Sequence, residues 1–158
     1  MECYAYLRVS TQDQELANQR QAIKAYVEAT PDHSVSEWYG DVETGKSRSR
    51  KRLNDMLQDV REKSSAERPD AIIVYKLDRM GRSLKHLLDI IQELENKDID
   101  FISVTEGFDT SDPGGKLFFQ IAGAFAEYES NLISERTKEG MKRAKKQGKH
   151  VGRPPKGE

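Results

Sequence analysis

Apolar residues fall along the chain in two alternating periods. Glu2 to Val9 carries a nearly unbroken apolar run (Cys3, Tyr4, Ala5, Tyr6, Leu7, Val9) and predicts a short buried strand. Helical spacing then takes over through Leu16, Gln19 and Arg20, Ile23, Tyr26 and Val27 as far as Ala29, with Ser10, Thr11 and Asp13 as helix-start residues. Pro31-Asp32 breaks that helix. A weaker strand is read over Val35 to Tyr39, a polar glycine-containing loop over Gly40 to Ser49, and a second helix over Lys51 to Glu62 through Leu53, Met56, Leu57 and Val60. Asp70 to Lys76 is the clearest strand and, being almost wholly apolar, is expected at the centre of a parallel sheet. A loop over Asp78 to Ser83, a helix over Leu84 to Asn96 (Leu84, Leu87, Leu88, Ile91, Leu94) and a strand over Ile99 to Thr105 follow. Strands alternating with helices predict an α/β fold, a mostly parallel sheet flanked by helices.

The last element differs. From Lys116 to about Gln147 only Gly123 and Gly140 weaken a helix, which at ~1.5 Å per residue would be roughly 45 Å long, more than an α/β domain needs. Its first half is apolar at helical spacing (Leu117, Ile121, Phe125, Tyr128, Leu132) and its second half is mostly charged. The apolar half needs a cover, and a partner subunit is a natural one. Gly148 reads as the C-terminal cap, and Val151 to Lys156, with Pro154-Pro155, as an extended arm. The chain thus divides into an α/β domain over residues 1–115, a long helix over 116–147 and a basic extended arm over 148–158.

Composition sharpens this picture. The 158 residues are one domain's worth, 35% hydrophobic and 34% charged. No apolar run approaches the ~20 residues of a membrane span, and Glu2 and Arg8 interrupt any signal-peptide pattern. A single cysteine, Cys3, excludes an internal disulfide framework, so a cytoplasmic location is expected. The net charge of −1 hides an asymmetry: Arg136 to Glu158 holds nine Lys/Arg against two Asp/Glu, leaving 17 against 25 in residues 1–135. A basic tail on an acidic body is the distribution that holds a polyanion by one end. Arg136, Lys142, Arg143, Lys145, Lys146, Lys149, Arg153 and Lys156 are its candidate contacts.

Candidate chemistry lies at strand ends, where parallel α/β sheets bind their ligands. The first strand ends in Arg8-Val9-Ser10, with Arg8 and Ser10 two apart and hence on one face. The third ends in Lys76-Leu77-Asp78-Arg79-Met80-Gly81-Arg82. If neighbouring strands present both loops, one hydroxyl faces several guanidiniums and a carboxylate. That set suits phosphoryl transfer: arginine forks bind phosphate oxygens bidentately and stay charged, supplying electrostatic stabilisation in the manner of metal ions. A serine is a weak nucleophile unless its surroundings activate it. Taken singly, a serine after a strand is more often a helix N-cap, and Asp78-Arg79 a surface ion pair; their joint appearance at two ends of one sheet is what carries weight.

Tyr6-Leu7-Arg8-Val9-Ser10-Thr11 with Gln14 and Gln19, Thr44-Gly45-Lys46-Ser47 with Arg50, Lys76 to Arg82, Phe125 to Glu129, and Ile133 to Thr137 stand in an order that resembles the catalytic domain of the resolvase/invertase family of serine site-specific recombinases, over essentially the whole chain. The resemblance implies that Ser10 forms a phosphoserine bond to a DNA 5′ end and frees a 3′ hydroxyl. It implies that Arg8, Arg50, Arg79 and Arg82 surround the scissile phosphate, that Asp78 orients them, and that Gln19 is a supporting polar residue. The long helix is implied to dimerise and then cross double-stranded DNA, with Glu135 and Arg136 near the active site and the subunit contact, and with Leu117, Ile121, Phe125, Tyr128 and Leu132 facing the partner. Homodimers are implied to meet as a tetramer, with no metal and no cofactor. The Gly152-Arg153-Pro154 arm resembles a minor-groove segment. One departure is Ser130, where relatives commonly carry arginine after the glutamate at 129. Family members also usually continue into a helix-turn-helix module, so a sequence ending at Glu158 is expected to hold DNA by phosphates and groove shape rather than by base edges.

Two other readings are weaker. Gly40 to Ser47 fits the phosphate-loop pattern G-x-x-x-x-G-K-S of nucleotide hydrolases, but Asp41 and Glu43 would put negative charge in the cradle, and the following residues read as loop where a helix should start. A non-catalytic DNA-binding or regulatory protein on the same fold would not need Ser10, Arg8, Asp78, Arg79 and Arg82 together. His33, His86 and His150 are scattered and read as ordinary surface residues, so a metal nuclease lacks ligands.

Overall fold

The structure, a computed structural model, describes residues 1–10, 13–43 and 50–148. Its strands are β1 (Glu2–Val9), β2 (Ser34–Val42), β3 (Ala71–Val74), β4 (Asp100–Ser103) and β5 (Phe108–Asp109); its helices are α1 (Asp13–Ala29), α2 (Lys51–Glu62), α3 (Leu77–Met80), α4 (Leu84–Glu95) and α5 (Pro113–Lys146). The strands make one sheet in the order β2-β1-β3-β4-β5, parallel except for β5, which runs antiparallel to β4. This is the α/β architecture that the apolar periods predict, with β3 at the centre and buried at all four positions.

Both faces of the sheet are covered, which is why β1, β3 and β4 read as apolar runs rather than as alternation. On one face Tyr4, Tyr6, Ile72, Val74 and Phe101 pack against Leu53, Met56, Leu57 and Val60 of α2 and Leu87, Ile90, Ile91 and Leu94 of α4. On the other, Cys3, Ala5, Leu7, Ala71, Ile73 and Ile102 pack against Ile23 of α1. Each fully buried aliphatic side chain contributes about 1.5–3 kcal/mol, so the sheet's carboxyl end is a stiff platform.

The structure departs from the sequence reading in several places, beginning with β3 and β4, which are shorter than the expected Asp70 to Lys76 and Ile99 to Thr105. β2 is longer than Val35 to Tyr39, running from Ser34 to Val42; as an edge strand it tolerates Ser34 and Gly40 on exposed positions. The expected loop after β3 opens with one turn of helix, α3, because Met80 is fully buried and draws the segment inward. β5 is too short to leave a sequence signal. The long helix starts at Pro113, three residues earlier than expected, since a proline in the first turn has no N–H to lose. Gly115 also belongs there by close approach: a Cβ would lie 1.9 Å from the Asp109 carbonyl oxygen. Gly148, at φ +70°, follows the C-cap as the sequence suggests.

α5 packs along α4 and onto the sheet edge, where Phe119 is buried against Phe101 and Phe108 and Phe118 also meets the Phe108 ring. Among the described residues no helix is long and apolar enough to cross a membrane.

Candidate active site

β1 and β3 are hydrogen-bonded neighbours, Tyr6 opposite Val74, so their carboxyl ends open side by side. Ser10 sits exposed in the bend just past β1. It stands three residues before Asp13, the first helical residue of α1, outside the adjoining cap position. Because β1 ends at Val9, the strand alternation that was expected to put Arg8 and Ser10 on one face stops short of Ser10.

Three arginines converge here. Arg8 of β1 donates from Nε to the Arg79 carbonyl (3.1 Å), from Nη2 to the Asp78 carbonyl (2.6 Å) and from Nη1 to Glu43 Oε2 (2.8 Å). Arg50, 6% exposed at the start of α2, donates from Nη1 to the Met80 carbonyl (3.0 Å) and from Nε to Glu43 Oε1 (3.3 Å). Arg79 of α3 pairs through Nη2 with Glu15 Oε1 of α1 at 3.2 Å. Its Nε is buried with no hydrogen-bond partner among the described residues, Asp78 Oδ1 being 3.6 Å away. Asp78 itself is exposed.

The supports are specific. Gln19, 1% exposed on α1, clamps the Arg8 backbone: Nε2 donates to the Arg8 carbonyl (2.9 Å) and Oε1 accepts the Arg8 N–H (3.3 Å). It replaces a sheet partner with an amide side chain. Asp41, at the end of β2, accepts the Tyr6 hydroxyl (3.0 Å) and the N–H groups of Arg52 and Leu53 (2.9 and 3.0 Å), capping α2 and so placing Arg50. Burial, then the charge of Asp41, pushes the Tyr6 hydroxyl well up, so it remains a donor. Burial pushes Glu43 up, but Arg8 and Arg50 together outweigh it and hold its carboxyl below the ordinary range. Arg82 follows α3 in an exposed segment, its N–H donating to His86 Nδ1 (3.2 Å).

The structure thus brings Arg8, Arg50, Asp78, Arg79 and Gln19 together near Ser10. Arg136, Lys142, Arg143, Lys145 and Lys146 lie apart on α5, all exposed, as is Glu135; Arg143 pairs with Glu139 at 3.5 Å. Lys149, Arg153 and Lys156, the rest of the arm, and Thr44 to Ser47 fall outside the described residues. Leu117, Ile121, Phe125 and Tyr128 are more than half exposed and Leu132 is half-buried. The phosphate-loop alternative finds Gly40, Asp41 and Val42 inside β2 and, among the described residues, the next helix at Lys51.

Sequence reasoning missed Glu15 and the role of Glu43. An acid near arginines carries no periodicity, and Glu43 was read only as a charge that disfavours phosphate. The carbonyls of Asp78, Arg79 and Met80 have no sequence signal at all.

A family model described as Resolvase, N terminal domain matches residues 3–150. The chain is 36% identical over 154 residues to the transposon Tn917 resolvase of Enterococcus faecalis, covering 98% of this chain and 77% of that protein. It is 40% identical over 151 residues to the DNA-invertase of Escherichia phage P1 (96% and 74% covered) and 41% identical to the serine recombinase gin of Escherichia phage Mu (96% and 72%). Among solved structures, a resolvase family site-specific recombinase from Streptococcus pneumoniae superposes with a TM-score of 0.75 at 29% identity, over 92% of this chain and 99% of that one. The N-terminal catalytic domain of TP901-1 integrase does so with a TM-score of 0.70 at 31% identity (84% and 98%). A serine at the end of one strand, guanidiniums gathered beside it from two strand ends and a helix start, a family model matched over residues 3–150 and relatives at 36–41% identity covered over about three quarters of their length show that the chain belongs to the resolvase/invertase family of serine recombinases, enzymes that exchange DNA strands at specific sites.

Proposed function

We propose that Ser10 is the nucleophile and that the arginines around it hold the scissile phosphodiester. Ser10 Oγ attacks phosphorus, an Oγ–P bond forms and the P–O3′ bond breaks. The serine hydroxyl gives up its proton and the departing 3′ oxygen takes one up. The DNA 5′ end stays on Ser10 as a phosphoserine, so the bond energy is kept for rejoining to another 3′ hydroxyl. Arg8, Arg50, Arg79 and Arg82 offer forked donors to the phosphate oxygens, whose charge is spread in the transition state. Asp78 orients Arg79, and Gln19 fixes the Arg8 backbone. The observation that carries this reading is the convergence of Arg8, Arg50 and Arg79 from β1, α2 and α3 beside an exposed serine.

Double-stranded DNA is the substrate in this reading. The apolar stripe of α5 joins two copies, dimers meet in a tetramer, and the basic half of α5 tracks the DNA. A DNA substrate and a single buried cysteine, Cys3, fit a cytoplasmic setting. The test is incubation with supercoiled DNA carrying candidate sites, followed by denaturation. A protein-linked 5′ end that Ser10→Ala abolishes is expected; free 5′ phosphates that require magnesium would overturn the chemistry.

A further inference from the structure

Each nitrogen of the Arg8 guanidinium has a partner within the chain, and the partners are of two kinds. The carbonyls of Asp78 and Arg79, and that of Met80 on Arg50, are neutral groups of the α3 backbone. They fix where the two guanidiniums point. Glu43 is different: it brings charge to both, one oxygen to Arg8 at 2.8 Å and the other to Arg50 at 3.3 Å. Bridging two guanidinium forks with two oxygens of one anion is also how a phosphodiester would bind them. The Glu43 N–H donates to the Val9 carbonyl at 2.8 Å, which fixes the Glu43 backbone beside the residue that precedes Ser10. Its lowered pKa keeps it ionised at neutral pH.

We infer that Glu43 is an internal stand-in for the phosphodiester, neutralising Arg8 and Arg50 until DNA displaces it. The inference rests on the reading of the arginine cluster as the phosphate site. A carboxylate and a phosphate cannot share the same donors without strong repulsion, so Glu43 must yield them when the phosphate enters. Because the α3 carbonyls orient the arginines independently, removing the Glu43 charge should improve anion binding. If Glu43 instead positioned the arginines, removing it should impair binding, so the sign of the effect separates the two roles.

The probe is inorganic sulfate, a tetrahedral dianion, titrated into the full chain with labelled arginines while the Nε–H signals of Arg8 and Arg50 are followed by NMR. Glu43→Gln keeps the shape and removes the charge, and circular dichroism checks its fold. Sulfate should bind Glu43→Gln about tenfold more tightly than the unaltered chain, a fraction of the bare like-charge repulsion at this separation. Binding to folded Glu43→Gln that is equal or weaker overturns the inference. Should Glu43→Gln fail to fold, Glu43→Asp, which draws the charge back by one methylene, must also bind sulfate more tightly. Arg8→Gln and Arg50→Gln in the Glu43→Gln background separate the two levels. If they abolish sulfate binding while Glu43→Gln gives no gain, the phosphate site stands and the stand-in role falls. If sulfate binding survives both, the arginine cluster is not the anion site and the functional reading falls with it.

Discussion

Asp41 connects the core to the site with one carboxylate. Arg50, the N-cap residue of α2, offers no side-chain cap, so the first N–H groups of that helix depend on Asp41 reaching across from β2. Asp41→Ala leaves two backbone donors and the Tyr6 hydroxyl without their acceptor. We expect a loss of about 2–3 kcal/mol in urea unfolding, in line with hydrogen bonds to a charged group. The arginine that starts the helix should shift with it, so the covalent DNA complex should fall too. Glu43 gives a pH signature. Its folded pKa is lowered, so its stabilising effect is present above the ordinary carboxylate value of about 4.3 and is lost as pH falls through the lower folded value. Unfolding midpoints of the unaltered chain and Glu43→Gln should therefore differ at pH 7 and converge in acid; a gap that stays constant down to pH 3 would contradict the ion-pair assignment.

At the scale of elements, α3 and the turn after it decide the geometry, and here the sequence was least legible. α2 could be read to the residue because Leu53, Met56, Leu57 and Val60 form one buried stripe. β3 could be read because burial on both faces leaves no polar position. Ser10, Arg8, Arg50, Asp78, Arg79 and Gln19 stand out in the sequence through motif order and strand ends. A four-residue helix shows no period, and the segment from Leu77 to Arg82 is charged enough to pass for loop; Met80 alone, packed under it, makes it a turn of helix. Gly81 then has to be glycine: a Cβ would come within 2.7 Å of Leu87 Cβ and 2.8 Å of both the Leu87 nitrogen and the Ser83 carbonyl. Two of those three neighbours are backbone and cannot rotate away. Gly81→Ala should cost about 1–3 kcal/mol in thermal unfolding. It should also depress cleavage more than a surface change of equal stability cost, since Arg79 and Arg82 flank it.

For the whole molecule, α5 carries two chemically different halves along one helix, the first with exposed apolar residues and the second mostly charged. Its first half leaves Leu117, Ile121, Phe125 and Tyr128 in solvent in a single copy, Phe125 at 64% exposure, and this row of apolar side chains is what the proposed subunit contact would cover. Phe125→Glu touches little within the chain, so it should leave unfolding of the subunit nearly unchanged while sedimentation shifts toward monomer. A variant that unfolds without changing association would place Phe125 in the core instead. Beyond the stripe, Lys142, Lys145 and Lys146 are exposed and follow an acidic body. If this half lies along DNA, each lysine that meets a phosphate releases a counterion on binding. Changing all three to Gln should then reduce the slope of log affinity against log salt by up to about three, at roughly 0.9 per lost phosphate contact. A duplex of arbitrary sequence serves as probe, because phosphate contacts are blind to bases. The two proteins should bind most differently at low salt and approach each other at high salt, where counterion release no longer favours binding. Equal slopes would mean that these three lysines do not meet the phosphates, and the DNA contact would then have to rest on other basic residues of the chain such as Arg136 and Arg143.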